Sequence, residues 1–304
     1  MSNFDNSSLF MEPRTNQYGS HMIMTNVHKP TKTKYVNVDT KFSDDYQYGT
    51  NANYNITLPQ PITDVKNISV TNIEIPKTYY NISKNLGNTH LSVYDPSASV
   101  TIFIDVSDGQ YDAASLTIAI NASFAAAGLS CSISINDNGK TLLSTTFIPN
   151  SHEIRFAVDT NSNPDKYGFK NKLGWMLGFR KTTYTITQGP VLESEYMSDL
   201  HGPRYLYLAV EEFNRGNQNS FVSPVVSSLI NKNILARITM DNQNYGYGSI
   251  LSGNTMNGLV ISDDRSYTGK IDLLKLNVQL IDENGMPVML NGLDFSFCLK
   301  VEHE

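Results

Sequence analysis

Four short stretches carry residue types that could do chemistry, and each fails at a position its chemistry requires. Gly139-Lys140-Thr141 looks like the end of a phosphate-binding loop. Such a loop needs a glycine five residues before Gly139, so that consecutive backbone amides can close round a phosphate, and Ser134 stands there. His152-Glu153 opens like the helix of a zinc protease, but Phe156 takes the place of the second histidine and the surrounding residues alternate as in a strand. Asp159-Thr160-Asn161-Ser162-Asn163 begins like a calcium loop. Pro164 replaces the glycine of its sharp turn, and Lys170 stands where a bidentate glutamate is needed. Gly246-Tyr247-Gly248 lacks the third glycine of a dinucleotide turn, since Leu251 is there instead.

The six histidines, His21, His28, His90, His152, His201 and His303, never pair at ligand spacing. Asp44-Asp45 and Asp263-Asp264 read as solvated turns, and no Gly-x-Ser-x-Gly elbow occurs. The sequence therefore predicts no catalytic, cofactor-binding or metal site, no cofactor, and no enzymatic activity. Tyr245 and Tyr247, within Asn242-Gln243-Asn244-Tyr245-Gly246-Tyr247-Gly248, are the residues to watch for a binding function, against the plainer reading of a flexible glycine-tyrosine turn.

Composition points to a structural all-β chain. Of 304 residues 40% are hydrophobic and only 17% charged, with 17 Tyr and 13 Phe, which suits pleated, half-buried surfaces. A net charge of -6 without any Lys/Arg cluster argues against direct nucleic-acid binding, because phosphate neutralisation needs clustered cations. Cys131 and Cys298 lie inside strand-like runs and read as buried reduced thiols, which points to an intracellular assembly site. Residues 1 to 20 hold no apolar core of a signal peptide, and nothing approaches a transmembrane span. The Asn-x-Ser/Thr triplets at Asn6, Asn55, Asn67, Asn81 and Asn121 then read as products of composition.

The elements follow from periodicity. Residues 1 to 33 are polar, Met-bearing and unpatterned, and are expected to be an extended arm; one sandwich domain is expected over residues 34 to 304. Strands are predicted at Lys34 to Asp39 and at Tyr54 to Leu58, the latter broken by Pro59 and Pro61. Ile68 and Val70 are offset by one residue from Ile73 and Ile75, which predicts a bulge near Thr71 and Asn72. Val100 to Val106 alternates cleanly. Asp112 caps one amphipathic helix, whose Leu116, Ile120 and Phe124 recur every four residues until Gly128.

Further strands are expected at Cys131 to Ile135 and Leu142 to Phe147, around a type I′ turn at Asn138-Gly139, and at Ile154 to Val158. Lys172 to Phe179 reads as a short helical turn plugging the core. Tyr184 to Ile186, Tyr205 to Val210 and Ile234 to Met240 are strands, with a long contact-forming loop from Asn214 to Asn233. The chain ends in two alternating runs joined at Gly285. The first holds Ile271 and Leu273, then Leu274 to Leu280 after a one-residue slip; the second holds Leu293, Phe295, Phe297, Leu299 and Val301, all facing inward.

The order of these landmarks resembles that of the small jelly-roll capsid proteins of large icosahedral DNA viruses, the minor capsid and penton-type proteins of giant viruses. The matching features are Tyr35-Val-Asn-Val-Asp39, the Tyr54 to Pro59 segment, and Ile73-Glu-Ile-Pro76 followed by Tyr80-Asn81-Ile82. Gly109-Gln-Tyr111 leading into the helix, Leu177-Gly-Phe179, and the closing Leu273 to Leu280, Asp282 to Gly285 and Leu290 to Phe297 complete the set. The resemblance implies an all-β, single jelly-roll β-sandwich with one main amphipathic helix, placed in a virion capsid assembled in the host cell cytoplasm. It implies as partners the major capsid protein and other minor capsid proteins, and a homo-oligomer such as a pentamer at a vertex. A β-sandwich receptor- or glycan-binding fibre or spike head is the alternative.

Overall fold

The computed structural model describes residues 30–45, 52–145, 151–158, 168–213 and 233–304. In chain order the strands and helices begin with β1 (Lys32–Asp39), β2 (Tyr54–Pro76), β3 (His90–Asp95), β4 (Val100–Asp105) and α1 (Ala113–Ala126). Next come β5 (Cys131–Ile135), β6 (Lys140–Thr145), β7 (His152–Arg155), α2 (Leu173–Met176), β8 (Thr183–Ile186) and β9 (Leu192–Met197). The chain closes with β10 (Tyr205–Glu211), β11 (Ile234–Thr239), β12 (Ile250–Asn254), β13 (Val260–Ile261), β14 (Arg265–Ile281) and β15 (Ser296–His303). Among the described residues the all-β class and the single long helix are as the sequence predicts.

Eight strands form one antiparallel sheet in the order β1-β15-β2-β14-β10-β11-β13, with β12 also on β2. The 23-residue β2 carries β15 along residues 65 to 74 on one edge; on its other edges lie β14 over residues 54 to 68 and β12 over residues 72 to 76. The sheet curls back on itself as a jelly-roll sandwich. Its far strand β13 follows directly on β12, and a Cβ on Gly253 of β12 would stand 3.1 Å from Val260 of β13. Side chains from both layers meet inside: Ile68, Ile73, Leu299 and Val301 from one, Leu206, Leu208, Ile238 and Val278 from the other.

The sequence predicts one sandwich domain over residues 34 to 304, and the apolar side chains within it are unevenly gathered. Buried side chains form two clusters, and the second is built from residues 82 to 186, inserted between β2 and β10. This inserted lobe holds a four-stranded sheet (β4-β3-β7-β8), a three-stranded sheet (β5-β6-β9) and both helices, and none of its strands pairs with the eight-stranded sheet. Leu116, Ile120 and Phe124 of α1 are fully buried in it, beside Leu173, Leu177 and Phe179 around α2. Asp112 caps α1 by accepting from Ser115 N at 2.7 Å while Ser115 Oγ accepts from Asp112 N at 3.0 Å, as a capping box requires. The helix is therefore a wall of its own lobe, not a lid on the sandwich.

Four local expectations also change. Pro59 and Pro61 do not break β2, because neither β14 nor β15 has a residue in register with positions 58 to 61, so the missing N–H groups cost no ladder bonds. The closing strands are not a hairpin: β2 lies between β14 and β15. Within them Leu274 and Leu293 are 41% and 49% exposed, while Leu273, Leu276, Phe295, Phe297, Leu299 and Val301 are buried. The slip falls between Leu273 and Lys275, where the register shifts. At Asn138-Gly139 only Gly139 has a positive φ, and Asn136 Oδ1 accepts from both Asn138 N and Lys140 N, so the hairpin is right and the type I′ turn is not.

The bulge at Thr71 is as expected: Asn72 pairs Cys298, Val70 pairs Leu299, and Thr71 is the extra residue. β1 begins at Lys32, inside the stretch read as an arm; residues 1–29, the 214–232 part of the long loop, Phe147 and the 159–167 part of the calcium-like loop lie outside the described residues.

Candidate functional site

The two lobes are joined where the chain leaves the sandwich after β2 and where it returns before β10. Pro76 ends β2, and Lys77 continues it by pairing with a loop: its N–H donates to Ser249 O at 2.8 Å and its carbonyl accepts from Gly248 N at 2.9 Å. Its side chain folds onto the same loop, with Nζ donating to Asn242 Oδ1 at 2.6 Å and to the carbonyl of Tyr245. Burial lowers the Lys77 pKa, against a raising effect of nearby Asp241. Asp241 in turn accepts from Gln243 N and Asn244 N, each at 3.1 Å. The Tyr245 to Gly248 segment is thus tied from several sides.

Asn81 holds the crossing itself. Its Nδ2 donates to Tyr111 O and to Leu200 O, both at 2.8 Å, and its Oδ1 accepts from Tyr111 N at 2.9 Å. Asn88 Nδ2 donates to its carbonyl at 2.7 Å, and Gln110 Oε1 accepts from its N–H at 3.2 Å. One buried amide side chain therefore fastens the outgoing connection, the returning connection and the approach to α1.

Two cavities flank this crossing. One, of about 390 Å³, lies among Tyr79, Tyr111, His201, Tyr245 and Tyr247, with Lys77 and Asn242 also bordering it. The other, of about 410 Å³, is bordered by Trp175, Met176, Arg204, Asp282, Glu283 and Met289 among others. Tyr79 and Tyr80 sit between them. The Tyr79 hydroxyl is buried without a partner among the described residues, and burial pushes its pKa up to about 12. Tyr80 stacks on Tyr247 at 6.4 Å with planes 24° apart. In the second cavity burial raises both Asp282 and Glu283, and Arg204 opposes the rise at Glu283.

The residues considered for chemistry are dispersed. Gly139-Lys140-Thr141 lies at the β5–β6 hairpin, and His152 is on β7 with Nε2 3.6 Å from Asp95. Asp45 binds the backbone and side-chain amides of Asn55, and Asp44 accepts from Thr57 Oγ1, so both hold the start of β2. Among the described residues no group of three or more His, Cys, Asp and Glu could hold a metal ion. Cys131 and Cys298 are both free; Cys131 is buried and its thiol pushed up to about 11, while Cys298 is half-buried on the outer face of the sandwich. Of the residues singled out in the sequence for chemistry or binding, His201, Tyr245 and Tyr247 come together in one concavity. Gln110 and Tyr111 in it, and Asn81 beside it, stood out only as landmarks of the resemblance, and Lys77 not at all, because these residues converge from separate loops.

No protein family profile matches the chain, and no curated protein matches it. Among solved structures it is similar to the mavirus penton protein, at 15% identity and a TM-score of 0.46 over 89% of this chain and 99% of that one. It is also similar to a chain of the Sputnik virophage solved by cryo-electron microscopy, at 16% identity and a TM-score of 0.39 over 90% and 98% of the two chains.

Proposed function

We propose that this chain is a non-enzymatic structural subunit of an icosahedral virion, a minor capsid or penton protein of the class its landmarks resemble. The observation that supports this most is where those landmarks fall. Tyr35 to Asp39 lies in β1, Ile73 to Pro76 ends β2, and Gly109 to Tyr111 leads into the Asp112 cap. Leu177 to Phe179 packs behind α2, and the last set spans β14, its turn and the start of β15. Each motif marks an element or a junction of the fold. A shell subunit needs a closed core independent of cofactors, and the curled sheet supplies a largely apolar one.

In this reading the chain resides in the capsid, is assembled in the host cytoplasm, and contacts the major capsid protein, other minor capsid proteins and further copies of itself, a pentamer being the vertex arrangement. The stretch before β1 and the Asn214 to Asn233 loop make those contacts, since Met side chains adapt to irregular surfaces and Phe221 to Val226 is apolar. No helix among the described residues is long and apolar enough to cross a membrane.

Deletion of residues 1 to 30 tests the proposal. None of the patterned strands lies among them, so thermal melting should be unchanged while incorporation into particles falls. Normal incorporation would remove the arm from the interface. Native mass spectrometry of the full chain adds the oligomeric state, with a pentamer expected for a vertex and a trimer favouring a fibre head.

A further inference from the structure

We infer that the cavity between Tyr111 and Tyr247 is a binding site for a neutral carbohydrate. Its volume of about 390 Å³ lies in the range of roughly 300–1,000 Å³ in which small-molecule sites fall. Both lobes wall it. Gln110 and Tyr111 come from the inserted lobe, and Tyr245 and Tyr247 from the 241–249 loop of the sandwich.

The aromatic part is preorganised. Tyr247 is 54% exposed and borders the cavity, and its ring lies 6.4 Å from that of Tyr80, with planes 24° apart; Tyr80 does not border this cavity. The Tyr247 loop is pinned to Lys77 by two backbone hydrogen bonds and by the buried Nζ, so little ordering is required when a ligand arrives. Flat aromatic faces presented this way suit the C–H faces of a pyranose ring.

Two charged groups border the cavity, and both are engaged within the protein: Lys77 Nζ donates to Asn242 Oδ1 and Tyr245 O, and Asp112 Oδ1 accepts from Ser115 N and Oγ. Gln110 uses Oε1 to accept from Asn81 N, which leaves its amide N–H groups as donors. His201 engages Asp199 through Nδ1 at 3.1 Å, which leaves Nε2. Aromatic faces beside uncharged donors and acceptors match a polyhydroxylated ligand, whereas a phosphate or carboxylate would call for a free cation.

The proposal does not depend on the virion reading. It is tested on the full chain by saturation-transfer NMR and titration calorimetry with methyl glycosides of glucose, galactose, mannose and N-acetylglucosamine, with sialyllactose as the anionic comparison. A neutral glycoside should bind with a dissociation constant on the order of millimolar. Tyr247→Ala should weaken it by about tenfold or more, as loss of a ring anchor does. Tyr35→Ala, which removes an exposed tyrosine on β1 of the sandwich, should bind as the parent does. Absence of binding by all four glycosides, binding indifferent to Tyr247→Ala, or tighter binding of sialyllactose would each overturn it.

Discussion

Arg265 and Glu212 form an ion pair at 2.6 Å in which the side chains are 2% and 0% exposed. Arg265 Nη1 also donates to Val210 O at 2.8 Å, and Tyr267 OH donates to Glu212 Oε1 at 2.8 Å. Val210 is in register with Val278 at the far end of β14. Along a straight strand at ~3.3 Å per residue, residues 265 and 278 would stand about 40 Å apart. That Arg265 reaches the neighbour of Val278 shows how sharply β14 bends, and the register shifts between Ser266 and Lys275 are where it does so. The pair therefore bolts one layer of the sandwich to the other.

Because removing one partner strands a buried charge, Arg265→Ala should cost about 3–5 kcal/mol in urea denaturation. Arg265→Met combined with Glu212→Leu should lose much less, since both charges go together. A single-variant loss below about 1 kcal/mol would mean that water reaches the site.

Phe297 is 1% exposed, stacks on Phe295 at 6.2 Å, and lies among Phe295, Leu299 and Ile73 of the sandwich core. Phe297→Ala should cost about 3–5 kcal/mol, the usual loss for a buried aromatic. Chemical denaturation measures it, and the loss should fall on the sandwich core.

That facing was legible in the sequence because alternation along Phe295 to Val301 reports directly on a half-buried strand. So was α1, where a capping aspartate and three apolar residues at helical spacing leave little choice. What periodicity does not carry is partnership. β14 and β15 read as a hairpin because they adjoin in sequence, while β2, some 200 residues earlier, is the strand that separates them. The two-core organisation was hidden for the same reason, as Ile82 and Ile186 look no different from Ile75 and Leu206. The cavity was half legible: the tyrosine-glycine loop stood out, but Lys77 and Asn81, which pin it and join the lobes, are single polar residues whose partners come from distant loops.

Asp282 gives a pH-dependent test. It is buried at the turn after β14, where its Oδ1 accepts from Asn284 N at 2.9 Å and Met286 N at 2.8 Å, and burial outweighs these bonds to raise its pKa. A raised folded value means that the group's contribution to stability is full below its ordinary value of 3.8 and is lost as pH rises through the folded value. At neutral pH the carboxylate is thus a net cost. Asp282→Asn keeps an oxygen for the two amides, so its stability at pH 7 should equal or exceed the parent's, and the decline from pH 4 upward should be shallower. Glu283, raised by its own burial, retains part of that slope. Denaturation midpoints measured from pH 4 to pH 7 would reveal an unchanged slope if Asp282 were not the titrating group.

The last prediction concerns whether the two cores unfold together. Gly178 has φ +92°, and a Cβ there would stand 2.1 Å from the backbone oxygen of Tyr196, so Gly178→Ala forces apart the α2 turn and β9 within the inserted lobe. Gly178 O also accepts from Tyr196 N at 3.1 Å, and that bond cannot survive the displacement. The disturbance lies entirely in the second cluster, which meets the sandwich through the Asn81 crossing rather than through a shared sheet. Amide hydrogen exchange should therefore show lost protection at Leu91, Val93 and Ile154 while Ile73, Ile75, Leu276 and Val278 keep theirs, as expected of separate cooperative units. Phe297→Ala should give the reverse pattern. Parallel loss in both clusters would show that the Asn81 hydrogen bonds join the lobes into one cooperative domain from residue 34 to 304, and Asn81→Ala should then be the substitution that separates them.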